Sequence, residues 1–277
     1  MEKFSRNQRI AAITKLLVEN PSKLVNLNKF TEVFNAAKST ISEDVVIIRD
    51  IFNKLEVGTI ETIAGASGGI KYVCNSSKEE KDKFAENLCS ILAEKDRIIP
   101  GNFIYMTDIM YNPEIVHKAA VILASNFNNL GVKYVVTVET KGIPLAYEVA
   151  KMLCTELIIV RRDSRVTEGP TVSINYVSGS GKRIQRMSLS RKSIDRESKC
   201  IFVDDFMKAG GTALGIIELL REFDSELVGI GVLVDSIESK SKLISNYISI
   251  VQFNGISESG SAVLVPSNNI EYTQKNN

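Results

Sequence analysis

The residues best suited to chemistry lie in one run, from Ile201 to Thr212. Apolar residues end at Val203, two adjacent acids follow at Asp204 and Asp205, and small residues then lead into a helical stretch. A loop at the start of a helix offers free backbone N–H groups to a phosphate, and paired carboxylates can accept from adjacent sugar hydroxyls. The run therefore predicts a site for a phosphorylated pentose.

An ordinary strand-to-helix turn with Thr212 as a cap is the alternative, but adjacent acids repel each other unless something uses them. The run resembles the phosphoribosyl-pyrophosphate (PRPP) motif of type I phosphoribosyltransferases. The resemblance implies that Asp204 and Asp205 hold the ribose 2′- and 3′-hydroxyls, and that the loop from Lys208 to Thr212 holds the 5′-phosphate. The ligand-binding residues predicted from this run are Asp204, Asp205, Phe206, Met207, Lys208, Ala209, Gly210, Gly211 and Thr212.

A second loop, at Thr140, Lys141 and Gly142, occupies the place of the pyrophosphate loop in the same family. Gly142 permits an unusual backbone that would turn amides toward a diphosphate, and Lys141 would add positive charge. The loop is a weak signal alone and gains weight beside the first run.

Strands and helices alternate from Phe103 onward, which predicts an α/β doubly wound parallel sheet covered on both faces. Ligands in such sheets bind at the carboxyl ends of the strands, where both loops lie. We expect helices at 113–130, 144–153 and 213–223, and strands at 102–107, 132–138, 157–160, 200–203 and 228–234.

The segment 161–192 predicts an inserted β-hairpin, with Val172, Ile174 and Tyr176 alternating with polar residues. Lysine and arginine outnumber acids in it. A basic flap over a polyphosphate pocket makes electrostatic sense, and a solvated edge hairpin protected by its charges is an equally good interpretation. In either case Arg183 and Arg186 are candidates for an additional DNA-binding surface.

Residues 1–74 differ from the rest, and residues 75–277 are expected to form the second domain. Three helices, one ending near Pro21, one at about 28–35 and one starting near Ser39, precede a hairpin with a glycine-rich turn. This order is typical of a winged helix-turn-helix, whose third helix enters the DNA major groove.

The start of that third helix carries short polar donors and one cation, suited to phosphates and base edges. The residues expected to contact DNA are Lys38, Ser39, Thr40 and Ser42 on the helix, Lys71 on the wing, and Arg6 and Arg9 on the first helix. The alternative makes Ser39 an N-cap and gives Glu43 and Asp44 to the helix dipole. A dimerisation module is a further alternative.

Composition sets limits on the class of protein. The 277 residues have a net charge of only +1, so any nucleic-acid surface must be local. Four separated cysteines and the lack of a signal or membrane segment predict a reduced, cytoplasmic protein without a membrane partner. The single histidine, His117, nearly excludes a histidine-based catalytic or metal site, and we expect no metal site.

The whole chain resembles the PurR-type purine operon repressors of low-GC Gram-positive bacteria. The stretches that carry the resemblance are 38–44, 140–144, 166–169, 172–180 and 204–212. It implies a homodimeric repressor of purine synthesis and salvage genes that binds double-stranded operator DNA and has no catalytic residues. PRPP would be the inducer, guanosine tetraphosphate (ppGpp) would compete for its pocket, and Tyr105 would lie near the nucleotide base.

Two other functions remain open from the residues alone. An active purine phosphoribosyltransferase with an added helix-turn-helix is the main alternative, and a non-catalytic assembly subunit is the other. Lys208 stands where 6-oxopurine transferases have a third acid, which disfavours that substrate class but leaves adenine-type transfer possible. The sequence also leaves open whether Mg²⁺ accompanies the ligand.

Overall fold

The computed structural model describes residues 4–65, 67–101, 103–163, 167, 169–177, 184–238, 241–258 and 260–271. The chain divides into two compact units. The first comprises 1–77 with 151–154, and the second comprises 78–150 with 155–277. The domain boundary placed after residue 74 from sequence stays a prediction.

The first unit has the predicted order of three helices and a hairpin. Its elements are α1 (Arg6–Glu19), α2 (Leu27–Phe34), α3 (Lys38–Leu55), β1 (Gly58–Ile63) and β2 (Gly69–Cys74). Ser5 caps α1 in a capping box with Gln8, and Asn26 caps α2. The hairpin pairs antiparallel from Gly58 opposite Cys74.

The core of this unit follows the helical spacing of its apolar residues. Each helix buries one stripe and the hairpin adds two isoleucines; the buried residues are Ile13, Leu17, Val25, Phe30, Phe34, Ile41, Val45, Ile48, Phe52, Ile60 and Ile70. Other apolar residues of these helices are exposed, among them Val33 at 49% and Leu55 at 62%.

The second unit contains a six-stranded sheet and its helices. Its elements are α4 (Lys78–Leu92), β3 (Ile98–Ile99), β4 (Phe103–Ile104), α5 (Thr107–Met110), α6 (Pro113–Ser125), β5 (Tyr134–Val138), α7 (Ile143–Leu153), β6 (Glu156–Val160), β7 (Thr171–Val177), β8 (Ile184–Ser190), β9 (Lys199–Met207), α8 (Gly211–Arg221), β10 (Glu226–Ser236), β11 (Ile248–Ile256) and β12 (Ala262–Pro266). The large sheet has the order β12-β11-β10-β9-β5-β6. All its pairs are parallel except β11 with β12, so the predicted doubly wound sheet is confirmed.

The sheet has a switch point between β5 and β9. From β5 the chain continues through α7 to β6 at one edge, and from β9 it continues through α8 to β10 toward the other edge. Successive connections therefore diverge at the carboxyl ends of β5 and β9, which opens a crevice where ligands bind in such sheets.

Several predicted boundaries were wrong. Helix α6 ends at Ser125 rather than at residue 130, and β4 has only two residues. Strand β9 continues to Met207, because its second half keeps pairing with β10, so Asp204 and Asp205 lie inside the strand end. Strands β11 and β12 complete the sheet beyond the last strand predicted from sequence.

The predicted hairpin is formed by β7 and β8, which pair from Thr171 opposite Ser190 to Val177 opposite Ile184. Its inner face belongs to the main core: Val172, Tyr176, Met187 and Leu189 are buried. Helix α8 has Gly215 beneath Tyr176, where an added Cβ would lie 3.0 Å from the ring. The described part of the hairpin is thus anchored on α8. Among the described residues, no helix combines the length and apolar character that a membrane span needs.

Candidate functional site

The crevice forms because β9 separates from β5 halfway along. The two strands pair only from Tyr134 opposite Cys200 to Val136 opposite Phe202, and β9 then continues alone beside β10. The loops that follow the two strands border the gap. Sequence reasoning placed both predicted ligand loops at strand ends, and the structure brings them together here.

Asp204 and Asp205 lie side by side in this gap, and both line its larger cavity. The Asp205 backbone N–H donates to Asp204 Oδ1 at 2.9 Å. Burial, together with the neighbouring charge of Asp205, raises the pKa of Asp204 well above its usual range. Two like charges in one crevice disfavour ionisation, so groups that donate hydrogen bonds to these carboxylates would stabilise the ionised pair.

The phosphate loop, residues 208–212, leads from β9 into α8. Gly210 is the N-cap in a left-handed conformation (φ +85°), and no side chain caps the helix. The first N–H groups of a helix lack intrahelical partners, and here they border a cavity of about 180 Å³ lined by residues 206–213 with Phe202, Asp204 and Val232. Thr212 is the second residue of α8 rather than its cap, so the capping role that the alternative gave to Thr212 is wrong.

The second predicted loop follows β5, with Thr140 and Lys141 exposed and Gly142 buried. Gly142 has no positive φ, so the predicted reason for a glycine was wrong. The reason is close approach: an added Cβ would lie 2.5 Å from Asp204 Oδ1 and 2.7 Å from Thr137 Oγ1. The peptide bond between Glu139 and Thr140 is cis.

The larger cavity has a volume of about 540 Å³. It is lined by Val138, Glu139, Thr140, Lys141, Arg162, Tyr176, Gln185, Asp204, Asp205 and Thr212. Asp204 and Thr212 line both cavities, which are therefore neighbouring parts of one site. The larger part brings together the predicted acids and the second loop.

Five residues of this lining were not predicted as site residues: Val138, Glu139, Arg162, Tyr176 and Gln185. Arg162 follows the end of β6, a parallel neighbour of β5, so a basic pair after that strand was a usable signal. Its backbone N–H donates to Glu139 Oε1 at 3.0 Å. The Tyr176 hydroxyl donates to Gln185 Oε1 at 2.6 Å across the hairpin, and burial raises the pKa of Tyr176.

The remaining ligand-site predictions lie differently. Phe206, Met207 and Lys208 all line the smaller cavity, and Lys208 is exposed. Tyr105 is 44% exposed after β4 and is not among the residues that line either cavity. Its predicted place near a base stays a prediction.

The predicted DNA-contacting residues of α3 lie at its first turn. Lys38, Ser39 and Ser42 are exposed and Thr40 is half-buried. Ala37 is the N-cap of α3 and makes no side-chain cap bond, so the alternative that Ser39 caps the helix is wrong. The hydroxyl of Ser42 donates to the Lys38 carbonyl at 2.9 Å.

Arg9 and Asp44 form a buried ion pair between α1 and α3. The guanidinium donates to both carboxylate oxygens, at 2.7 and 3.2 Å, and the exposed fractions of the two residues are 8% and 1%. Asp44 therefore serves this pair rather than the helix dipole. The position of Arg9 does not favour the predicted phosphate contact. The Arg6 side chain also contacts Asp44, with Nε 3.5 Å from Oδ1, but it is 55% exposed.

Lys71 on the wing pairs with Glu61 across the hairpin, with Nζ 3.0 Å from Oε2. The predicted basic tip of the second hairpin, including Arg183, lies outside the described residues, whereas Arg186 donates to the Ser173 hydroxyl at 3.0 Å. His117 contacts Glu148 (Nδ1 to Oε1, 2.8 Å), a structural role. Within the described residues, no cluster of three or more metal-binding side chains occurs.

Comparisons with known proteins cover both units. Residues 5–74 match the family model described as "Bacterial purine repressor, N-terminal", and residues 107–261 match "Phosphoribosyl transferase domain". Among solved structures, an adenine phosphoribosyltransferase from Saccharomyces cerevisiae is 20% identical with a TM-score of 0.52, covering 60% of this chain and 98% of its own. This likeness shows the fold of the second unit.

Curated relatives match nearly the full length. A probable purine biosynthesis transcriptional regulator of Streptococcus pneumoniae is 43% identical over 97% of this chain and 98% of its own. A purine biosynthesis transcriptional repressor of Bacillus subtilis is 42% identical over 96% and 94%. A purine biosynthesis transcriptional activator of Lactococcus lactis is 37% identical over 96% and 98%. The chain therefore belongs to the PurR family of bacterial purine biosynthesis transcriptional regulators.

Proposed function

We propose that this protein is a DNA-binding transcriptional repressor of purine biosynthesis and salvage genes, released from its operator by PRPP. In the same proposal ppGpp competes with PRPP for one pocket and favours the DNA-bound form, the protein is a homodimer, and it does not transfer ribosyl groups. The observation that carries the proposal is a two-part ligand site, at Asp204, Asp205 and two amide-rich loops, in the same chain as a winged-helix unit.

DNA binding is supported by the winged-helix order and by the family match of the first unit. The exposed first turn of α3 offers Lys38, Ser39 and Ser42, which are donors suited to phosphates and base edges. The third helix of such units enters the major groove by this end.

PRPP is supported by the shape and chemistry of the site. Its 5′-phosphate would occupy the smaller cavity at the start of α8, where free helix N–H groups favour an anion. Its two adjacent hydroxyls would donate to Asp204 and Asp205. Its pyrophosphate would occupy the larger cavity near Lys141 and Arg162, whose positive charges offset those of the acids.

The competing role of ppGpp follows from the same two phosphate positions. A nucleotide with two pyrophosphates on one ribose presents anions on both sides of a sugar, as PRPP does. Both ligands would require the N–H groups near Gly210 and the loop at Gly142, so they could not bind together.

The test is a titration of promoter DNA from the organism's own purine genes with the full-length protein, followed by fluorescence anisotropy. We expect tight binding without ligand, loss of affinity with PRPP, and recovery when ppGpp is added. Unchanged DNA affinity at saturating PRPP would defeat the switch. If the ligand-free protein did not bind promoter DNA, the proposed DNA-binding role itself would be wrong.

A double variant, Asp204→Ala with Asp205→Ala, separates the two activities. Removing hydrogen-bond acceptors that carry charge costs about 1.5–3 kcal/mol each, so we expect PRPP affinity to fall by roughly 10²-fold or more while DNA affinity stays. Asp82→Ala with Glu86→Ala removes the same charge from the exposed side of α4 and serves as the matched control. Intact PRPP affinity in the acid-free variant would overturn the assignment.

Two further assays address the finer parts of the proposal. Incubation with PRPP and each purine base should release no pyrophosphate, and steady release would establish the alternative of an active transferase. Deletion of the gene should raise expression of purine genes. A fall in their expression would indicate an activator, which is how the Lactococcus lactis relative is named. Sedimentation with and without PRPP measures the predicted dimer.

A further inference from the structure

A short segment after β10, residues 241–247, lies against the phosphate loop; we refer to it as the covering segment. The backbone N–H of Leu243 donates to the Ala209 carbonyl at 2.9 Å. The ammonium of Lys242 donates to the Lys208 carbonyl at 2.7 Å. Gly210 lies so close to Ile244 that an added Cβ would be 3.2 Å from its Cγ1. The covering segment therefore contacts three consecutive residues of the loop.

Lys242 is itself held by a buried network at the carboxyl end of β10. Its ammonium pairs with Asp235, which is 1% exposed, and the Tyr247 hydroxyl donates to the other oxygen of Asp235 at 2.9 Å. Asp235 is in register with Met207 of β9, the residue that precedes the phosphate loop. The network is thus fixed beside the point where the loop begins.

The direction of these hydrogen bonds determines where the loop amides point. In a trans peptide, the carbonyl of one residue and the N–H of the next point in opposite directions. Because the carbonyls of Lys208 and Ala209 face the covering segment, the N–H groups of Ala209 and Gly210 face away from it. The smaller cavity lies beside these two amides. Residues 208–213 line it, and the covering segment contributes no lining residue.

We propose that Lys242, fixed by Asp235 and Tyr247, is a positioning residue that turns the amides of Ala209 and Gly210 toward the 5′-phosphate of the effector. The inference rests on the proposed function, since it requires that the smaller cavity receive a phosphate. It adds that residues of the C-terminal part of the chain, outside the acidic run and its loop, set the affinity for that phosphate.

The proposal differs from a purely structural ion pair in one measurable way. A structural pair, when broken, would lower stability and affect all parts of the site alike. Loss of a positioning residue would change the contacts at the 5′-phosphate. It would leave unchanged the contacts at the pyrophosphate, which would bind near Lys141 on the other side of Asp204.

The experiment compares the full-length wild type with Lys242→Met, Lys242→Arg and Tyr247→Phe. Calorimetry gives affinities for PRPP and for ribose 5-phosphate, and ³¹P NMR of bound PRPP reports the 5′-phosphate and the pyrophosphate separately. Lys199→Met, at the opposite end of β9, removes the same charge from an exposed position and is the matched control.

For Lys242→Met we expect about a 10-fold loss of affinity for both ligands, the scale of one charge-assisted hydrogen bond. The bound 5′-phosphate resonance should change while the pyrophosphate resonances keep their wild-type positions. Lys242→Arg should restore part of the affinity, and Lys199→Met should behave as wild type.

Wild-type affinities in a folded Lys242→Met protein would overturn the proposal, and so would equal changes at both phosphate groups. If Lys242→Met does not fold, Tyr247→Phe decides, because it removes one hydroxyl and keeps the ion pair. Weaker binding of both ligands in this variant, with a changed 5′-phosphate resonance and unchanged pyrophosphate resonances, supports the proposal, and unchanged affinities overturn it. If the wild type binds neither ligand, the proposed function fails instead.

Discussion

The winged-helix unit and the crevice of the second unit use charged residues in opposite ways. In the winged-helix unit, charges are paired within the fold: Arg9 with Asp44 inside, and Lys71 with Glu61 on the wing. In the crevice, Asp204 lies directly beside a like charge, Asp205, and the cations nearby line an open cavity. The first arrangement stabilises the fold, whereas the second needs a ligand to relieve it.

We therefore expect changes in the first unit's charge pairs to alter stability, and changes in the crevice acids to alter ligand affinity. Breaking the buried pair in the first unit should unfold a DNA reader, since an unpaired buried charge is costly. Removing an acid from the crevice should lower the affinity for the ligand and raise the stability of the ligand-free protein.

The largest effect is expected for Arg9→Met, which removes the bidentate partner of the buried Asp44 and leaves it, among the described residues, only the longer contact with Arg6, Nε to Oδ1 at 3.5 Å. Such a loss costs about 3–5 kcal/mol, enough to unfold the first unit in a large share of molecules. Urea denaturation followed by circular dichroism should show the loss, and DNA affinity should fall with it while PRPP affinity stays.

The double variant Arg9→Met with Asp44→Leu is the control, because replacing a buried pair by apolar residues of similar volume is often neutral or stabilising. It should recover most of the stability and the DNA binding. A stable Arg9→Met protein with weak DNA affinity would instead support the phosphate contact predicted from sequence.

The two arginines of α1 show what the sequence can and cannot predict. Arg6 and Arg9 look alike in a sequence, since both stand on the first turns of one helix. Only the packing of α1 on α3 buries one of them against an acid 35 positions away. Local patterns gave the helix order and the hairpin, because these depend on spacing within each element.

The ligand site shows the same division. The acids and glycines of the run at 204–212 are contiguous, so their chemistry was predictable. The lining residues from other elements, such as Arg162 and Gln185, come together only through the order of the strands and the fold of the hairpin. Pairing with β10, which a single sequence does not reveal, also extends β9 past the acids.

The second prediction concerns the pH dependence of PRPP binding. Because burial and Asp205 raise the pKa of Asp204 in the free protein, ligand hydroxyls that donate to its ionised form must displace a proton. PRPP affinity should therefore rise with pH through the raised pKa. Calorimetry from pH 5 to 8 should show this rise in the wild type.

Asp204→Asn is the control, since its amide does not titrate. It should bind PRPP more weakly and lack this part of the pH dependence, leaving only the titration of the phosphates. A raised folded pKa means that stability is lost as pH rises above the unfolded value of about 4. The free Asn variant should thus melt higher than the wild type at neutral pH, and an equal or lower melting temperature would contradict the buried like-charge pair.

The third prediction concerns Gly142→Ala. The new Cβ would overlap Asp204 Oδ1 and Thr137 Oγ1, and relief of such crowding typically costs about 1–3 kcal/mol. If the loop or Asp204 moves to relieve it, PRPP affinity should fall about 10-fold or more. Calorimetry measures the loss. Gly231→Ala in β10 should keep PRPP affinity, since the atoms nearest to its Cβ would belong to the Phe127 and Leu123 side chains.

The smallest effect is expected for Lys38→Met at the start of α3. One phosphate contact contributes about 0.9 to the slope of log affinity against log salt, so the slope should fall by roughly 1 and DNA affinity by a few-fold at moderate salt. Lys54→Met removes the same charge at the other end of the same helix and is the control. Among the described contacts, Lys54 pairs only with Asp50. Equal slopes for the two variants would mean that the start of α3 does not face DNA. A change confined to Lys38→Met would place the exposed charges of the first unit on its DNA surface and leave its paired charges to the fold.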